Sequence, residues 1–502
     1  MKKHICRIGI LAIMISGCTK KEATPPSQLN IHFPLVSLNL DPHKMEDAYS
    51  MTVVLQVHRG LLRYTPSGDV APDLAKKWAD SPNHKTYTFK LNESHFSDGS
   101  PVTAKNVRMS FARLFYSGAA MGADLDYIDG AAEFKKTGDI EKLGIRESSP
   151  NEIVFHLSHP SALFLKHLAV ADCAILSLTD FKQELAFGAN TPYTGPYKVI
   201  SVDKEKGVTL EKWRDDVLQA KNPPKIIKFF LSGEAPVDLA FRGETDSLDH
   251  DPVPDDEIKK LRSKGWQETA TELIGESYLI MNPKRISKEI RQAIFSAVDQ
   301  REVARILGAK FSPAYGAIPR GLPGELQEQD IAELRSARKA KGTVNLQFDP
   351  QSLMFSKVVS YLKGRLESAG LTVNLIPLEK RELLTKIFSS DCEMCLGSKG
   401  LDYPDGFSVL TYFKSGSANN YFYVKDAGVD ALLTEAGKIL EKDVREASYK
   451  EIQKKILSQY TLVPLAFGSM ASGLWSGKIE NVPPHVMGYH MLPFETIEMK
   501  QQ

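Results

Sequence analysis

Short runs with an apolar residue at every second position alternate along this chain with longer runs spaced at three and four. That alternation dictates a mixed α/β fold. "TYTFKL" sets Tyr87, Phe89 and Leu91 on one face of a half-buried strand, and "NEIVFHL" gives a second near residues 151–157. "GPYKVISVDKEKGVTLEKW" reads as a hairpin with residues 204–207 at its tip. Asp98-Gly99 in "SDGSP" marks a turn, and Thr103 is a natural N-cap for a helix through Phe111 and Leu114. "SKEIRQAIFSAVDQREVARIL" carries Ile290, Ala293, Ile294, Ala297 and Val298 at helical spacing and reads as one amphipathic helix. "FSKVVSYLKGRLESAG" is another, stopped at Gly370, with the strand "LTVNLIPL" directly behind it. The helix "ASYKEIQKKILSQY" then precedes the strand "TLVPLAF". With no internal repeat and such scattered strands, several sheets are expected rather than one.

The N-terminus follows another logic. Lys2, Lys3 and Arg7 precede a short apolar run at residues 8–15, then Ser16, Gly17 and Cys18. As a helix that run reaches about 12 Å, well short of the roughly 30 Å of a bilayer core. It therefore reads as an export signal over residues 1–17. "ISGC" resembles the bacterial lipobox, whose cysteine is acylated and becomes the new N-terminus, here Cys18. Residues 18–28, polar with a Pro pair, read as a lipidated tether. Thr19, rather than an aspartate, follows the cysteine and does not argue for retention at an inner membrane.

The formal net charge is +1 and turns slightly negative once the leader leaves, which gives no reason to expect nucleic acid as a partner. Past the leader no run is long and apolar enough to span a bilayer, so the lipid is the expected membrane contact. Five cysteines include the pair Cys392 and Cys395 in "DCEMCLGSKG", which reads as a buried strand leading into a loop. Strand positions i and i+3 face opposite ways about 10 Å apart, so two structural thiols are expected. A disulfide or a metal site is the weaker alternative.

No HExxH, GxSxG, Walker-A or GxGxxG string occurs. The twelve histidines show no compact ligand spacing; His156 and His159 come nearest and read as a solvated strand end. Serines such as Ser469 lack an identifiable base. A secreted lipoprotein enzyme thus has no positive argument, and neither metal nor cofactor is expected.

Several strings together resemble the peptide/nickel class of bacterial extracellular solute-binding proteins of ABC transporters, most of all the oligopeptide-binding proteins. They are "LDPHKMEDAYS", "GLLRYTPSGDVAPDLAKKW", "FSDGSPVTAKNVRMSFARL", "NTPYTGPYKV", "EIRQAIFSAVDQREV" and "DYPDGF", in the family's order. The resemblance implies a periplasmic-binding-protein-like fold of type II: two lobes, a hinge and an extra inserted domain. It puts lobe I at residues 29–45, 173–265 and 471–502, the inserted domain at 46–172 and lobe II at 266–470. It also implies a monomeric, non-enzymatic receptor that holds an extended oligopeptide between the lobes and delivers it to a permease.

By the same resemblance Asp402 in "GLDYPDGF" pairs with the peptide's α-ammonium. Glu46, Ala48, Ser398 and Gly400 fall on stretches that contact the peptide backbone. The sequence departs from the family at "GSKGLDY", where Lys399 stands near a customary tryptophan and could meet an acidic ligand group. Gly406 replaces a common proline, and "VHRGL" puts Arg59 where an acidic residue is usual. Cell-wall-derived peptides, dipeptides or another solute on the same fold, or an interaction lipoprotein without transport, are the rival readings.

Overall fold

The computed structural model describes residues 27–45, 47–216, 220–248, 253–269, 275–308, 311–417, 420–468 and 473–501. Cys18, the leader, nearly all of the tether and Glu46 lie outside the described residues. Among the described residues no helix is long and apolar enough to cross a membrane.

The first sheet joins distant parts of the chain. Strand Gln28–Phe33 runs parallel to Ile226–Leu231, which borders the hairpin Tyr197–Asp203 and Gly207–Lys212. The hairpin turns where the sequence predicts. Leu29, Ile31 and Phe33 alternate inward and share one core with Tyr197, Phe229, Tyr489 and Phe494. The first and last parts of the described residues are therefore held in a single apolar cluster. A small sheet, Ser247–Leu248, Gly473–Trp475 and Gln267–Thr269, adjoins it.

A second sheet orders its strands Ala75–Asp80, Thr86–Leu91, Glu152–His156 and Ile145–Ser149, all antiparallel. Its alternation works as read: Tyr87, Phe89 and Leu91 point into a core with Phe111, Phe155 and Phe164. Helix Ala104–Tyr116 covers it. The Asn106 side chain accepts from the Thr103 amide (2.9 Å) and hydroxyl (2.7 Å), fixing the helix start. The Phe111 and Phe155 rings meet edge-on at 5.1 Å, and burying each such ring contributes about 1.5–3 kcal/mol.

The largest sheet runs Phe311–Pro313, Leu462–Gly468, Gly275–Met281, Met394–Gly400, Gly342–Phe348 and Leu371–Pro377. Gly342–Phe348 and Leu371–Pro377 are parallel, joined by helix Leu353–Ser368, and Gly370 takes φ +98° beyond that helix. The expected single helix over 287–307 is two, Lys288–Ala297 and Gln300–Leu307. Asp299 breaks it: its carboxylate accepts from the Arg301 (3.0 Å) and Glu302 (3.4 Å) amides and caps the second helix. Periodicity alone does not see this, because Val298 stays buried through the kink.

The cysteine expectation fails. Strand Met394–Gly400 begins after Cys392, whose amide bonds the Lys386 carbonyl (3.1 Å) behind helix Lys380–Phe388. Only Cys395 is in the strand. The off-strand backbone brings the two Cα atoms to 6.1 Å, and the pair forms a disulfide. Cys173 is free and buried.

Candidate ligand-binding site

Met394–Gly400 is bonded along one edge for its full length, from Gly275↔Gly400 to Met281↔Met394. Along the other edge, pairing with Gly342–Phe348 covers only Met394 and Cys395. Among the described residues, 397–400 therefore keep a backbone edge with no strand against it, and Ser398 and Gly400 are exposed. An unpaired edge of this kind can accept an extended chain as an added strand.

The chain leaves that edge through Leu401-Asp402-Tyr403-Pro404-Asp405 and enters helix Gly406–Leu410. Asp405 caps that helix through the Phe407 amide (2.9 Å), and Gly406 leaves no room for a Cβ beside Ile318 and the Pro323 carbonyl. The turn is gripped from both sides. Tyr403 is buried in the core of the 75–156 sheet and packs on the His167 ring at 5.0 Å, while Leu401 and Phe407 touch both large cores. The fully buried Asp405 accepts from the Tyr449 hydroxyl (2.9 Å) and pairs with Lys166 of the opposite half. Gly68, at φ +87°, lies so close to Pro404 and Val486 that a Cβ there would stand 2.9 Å from Val486.

Asp402 is exposed at this junction. Its amide donates to Ser408 Oγ (3.0 Å), and its Oδ2 accepts from the Tyr412 hydroxyl. The Tyr412 ring also carries the Lys399 ammonium 3.2 Å from its centroid, a cation–π contact. Burial pulls the Lys399 ammonium down to about 8, against the opposing pull of Asp402.

Two carboxyls from the other half share this space. Asp124 closes the short helix Ala120–Asp124 and Asp172 lies in the 3-10 turn Ala171–Cys173. Asp124 touches water, yet the protein around it and then the Asp402 charge raise it to about 6. Burial, with Asp402 and Asp124 adding, raises Asp172 to about 7. Three carboxyls thus stand against the ammonium groups of Lys399 and Lys414, which favours an added cation.

Of the residues marked from sequence, Asp402, Lys399, Ser398 and Gly400 come together on one strand end. Ala48 opens helix Ala48–Val57, capped by Asp47, and its carbonyl accepts from Thr52 Oγ1 (2.8 Å). Among the described residues no hydrogen bond joins Ala48 to 398–402. Arg59 serves inside the fold: it is buried, pairing with Glu495 and, at 3.6 Å, with Asp73. Sequence reasoning missed Tyr412, Asp124, Asp172 and Glu276. Only Glu276 left a faint trace, as a carboxylate two residues ahead of the apolar run at residues 278–281. Among the described residues no group of three or more His, Cys, Asp or Glu side chains is arranged to hold a metal ion.

Comparison with known proteins gives this geometry a context. The family described as bacterial extracellular solute-binding proteins, family 5 Middle, matches residues 69–421. A probable D,D-dipeptide-binding periplasmic protein, DdpA of Escherichia coli, is 26% identical, with 88% of this chain and 89% of that protein covered. The periplasmic oligopeptide-binding protein OppA of Salmonella typhimurium is 23% identical over 93% of each chain. Among solved structures, the murein tripeptide binding protein MppA of Escherichia coli superposes with a TM-score of 0.75 at 17% identity. That superposition covers 95% of this chain and 99% of that one.

Proposed function

Because this chain belongs to the bacterial extracellular solute-binding proteins of family 5, we propose that it captures oligopeptides in extended form between two lobes and delivers them to an ABC importer. The protein is a solute-binding protein and not an enzyme. One observation carries the peptide reading: the unpaired backbone edge at 397–400 runs straight into the Asp402 carboxylate. An extended peptide adds to that edge through N–H and C=O groups that every peptide has, and its α-ammonium ends at Asp402. Ser398 and Gly400 supply backbone contacts, with Ala48 and Glu46 contributing from the opposite half.

In this reading residues 29–45, 173–265 and 471–502 form lobe I, 46–172 the inserted domain and 266–470 lobe II. The core shared by Leu29, Tyr197 and Phe494 supports the discontinuous lobe. Acylated Cys18 holds the receptor, a monomer, at the membrane beside its permease; tethering keeps its local concentration high. Lys399 favours one second reading, a cell-wall-derived peptide whose acidic group reaches its ammonium. Mass spectrometry of whatever co-purifies with the protein tests the proposal. Short peptides with free amino termini are the expected cargo, and recovery of only non-peptide solutes would sink it.

A further inference from the structure

Glu276 sits on the central strand Gly275–Met281, is 4% exposed, and has one carboxylate oxygen fully enclosed without a hydrogen-bond partner. Among the described residues its side chain makes no hydrogen bond or ion pair. Antiparallel register sets it directly opposite Lys399, so both side chains leave the same face of the sheet. Tyr278, two residues along, lies on that face too and shares a hydroxyl–hydroxyl contact with Tyr421 (3.2 Å). Lys399 does not answer Glu276; its ammonium lies over the Tyr412 ring, whose hydroxyl serves Asp402. Tyr278, Tyr421 and Tyr412 thus lie between the buried carboxylate and the proposed amine anchor: Tyr278 and Tyr421 feel the Glu276 charge, and Tyr421 and Tyr412 that of Asp402.

We propose that Glu276 is the floor of a side-chain pocket beside the Asp402 anchor and selects peptides with a basic side chain at one of their first two positions. This rests on the peptide reading of the site. Burying a carboxyl without a partner is unfavourable, and an arriving cation relieves that cost. Charge balance around the anchor favours a cation over an anion: among the described residues Asp402, Asp124 and Asp172 act on one another, against the ammonium groups of Lys399 and Lys414. Burial holds the Glu276 carboxyl well above the usual carboxylate range, so the empty pocket is neutral at its floor. A guanidinium or ammonium arriving there restores the charge and gains a charge-assisted hydrogen bond. Phe467, opposite Glu276 on its other flanking strand, offers no competing charge.

Calorimetric titration of the full mature chain with Ala-Ala-Ala, Ala-Lys-Ala, Lys-Ala-Ala, Ala-Glu-Ala and the norleucine isosteres of the lysine peptides tests this. For wild type, at least one lysine peptide should bind about tenfold or more tighter than its norleucine isostere. Glu276→Gln, which keeps the shape of the protonated acid, should collapse that ratio to within about threefold. No lysine preference in wild type overturns the proposal with no variant needed. A preference that survives in Glu276→Gln overturns it as well. Tightest binding of Ala-Glu-Ala overturns it in favour of the Lys399 reading. Failure of every peptide to bind defeats the receptor reading itself, a result distinct from binding without selectivity.

Discussion

Lys166 and Asp405, from the two neighbouring cores, form an ion pair in which the aspartate side chain is wholly buried and the lysine side chain about one-quarter exposed. It is the polar part of a clasp whose apolar part is Tyr403 in the neighbouring core. If ligand affinity depends on the halves closing, it depends on this clasp.

Lys166→Met should therefore weaken peptide binding by about tenfold or more, since removing one partner of a buried pair costs about 3–5 kcal/mol and part of that falls on the closed state. Calorimetry measures the affinity and small-angle scattering the closure. Unchanged affinity would show that the clasp is not linked to binding.

Asp402→Ala should reduce affinity for free-amine peptides by about a hundredfold, the scale of a lost charge-assisted contact. N-acetylated versions of the same peptides should change by no more than about threefold. Equal losses for both sets would remove the amine-anchor assignment.

The Asp172 carboxyl is raised to about 7 from an ordinary 3.8. A raised folded-state value means the native chain holds a proton that the unfolded chain has released between those limits. The group's contribution is thus intact below about pH 4 and is lost as pH climbs through 7. Asp172→Asn should leave stability at pH 4 unchanged and add on the order of 1–2 kcal/mol at pH 8, after allowance for its partial exposure. Thermal melts at the two pH values measure this; equal shifts at both would refute it.

The cysteines allow a direct chemical check. Among Cys173, Cys392 and Cys395, alkylation of the denatured, unreduced chain should label Cys173 alone, and prior reduction should add labels at Cys392 and Cys395. Peptide mass mapping reads the sites. Labelling of Cys392 without reductant would contradict the disulfide.

Much of the fold was legible because it follows local rules. The strand with Tyr87, Phe89 and Leu91, the hairpin around residues 204–207 and the helix stopping before Gly370 each express a period or a cap within a few residues. What escaped depended on detail that periodicity does not carry. Asp299 divides a run whose apolar spacing continues through it, and the cysteine pair turns on whether a strand starts before or after residue 392. Asp402 was readable from its string. Glu276 was not, because its meaning comes from lying opposite Lys399, and register between distant strands is set by tertiary packing.

The unpaired edge at 397–400 has a cost outside transport. Exposed strand edges recruit other chains without regard to sequence, and a second copy of this protein is as able a partner as a peptide. The turn that follows this edge is clasped to the neighbouring core through Tyr403 and Lys166, and under the proposed closure that core would also shield the edge. A lysine in that stretch adds a charge that opposes stacking of identical chains. In the proposed function, weakening the clasp would bare an aggregation-prone edge together with the candidate binding site, tying solubility and cargo capture to the same few contacts.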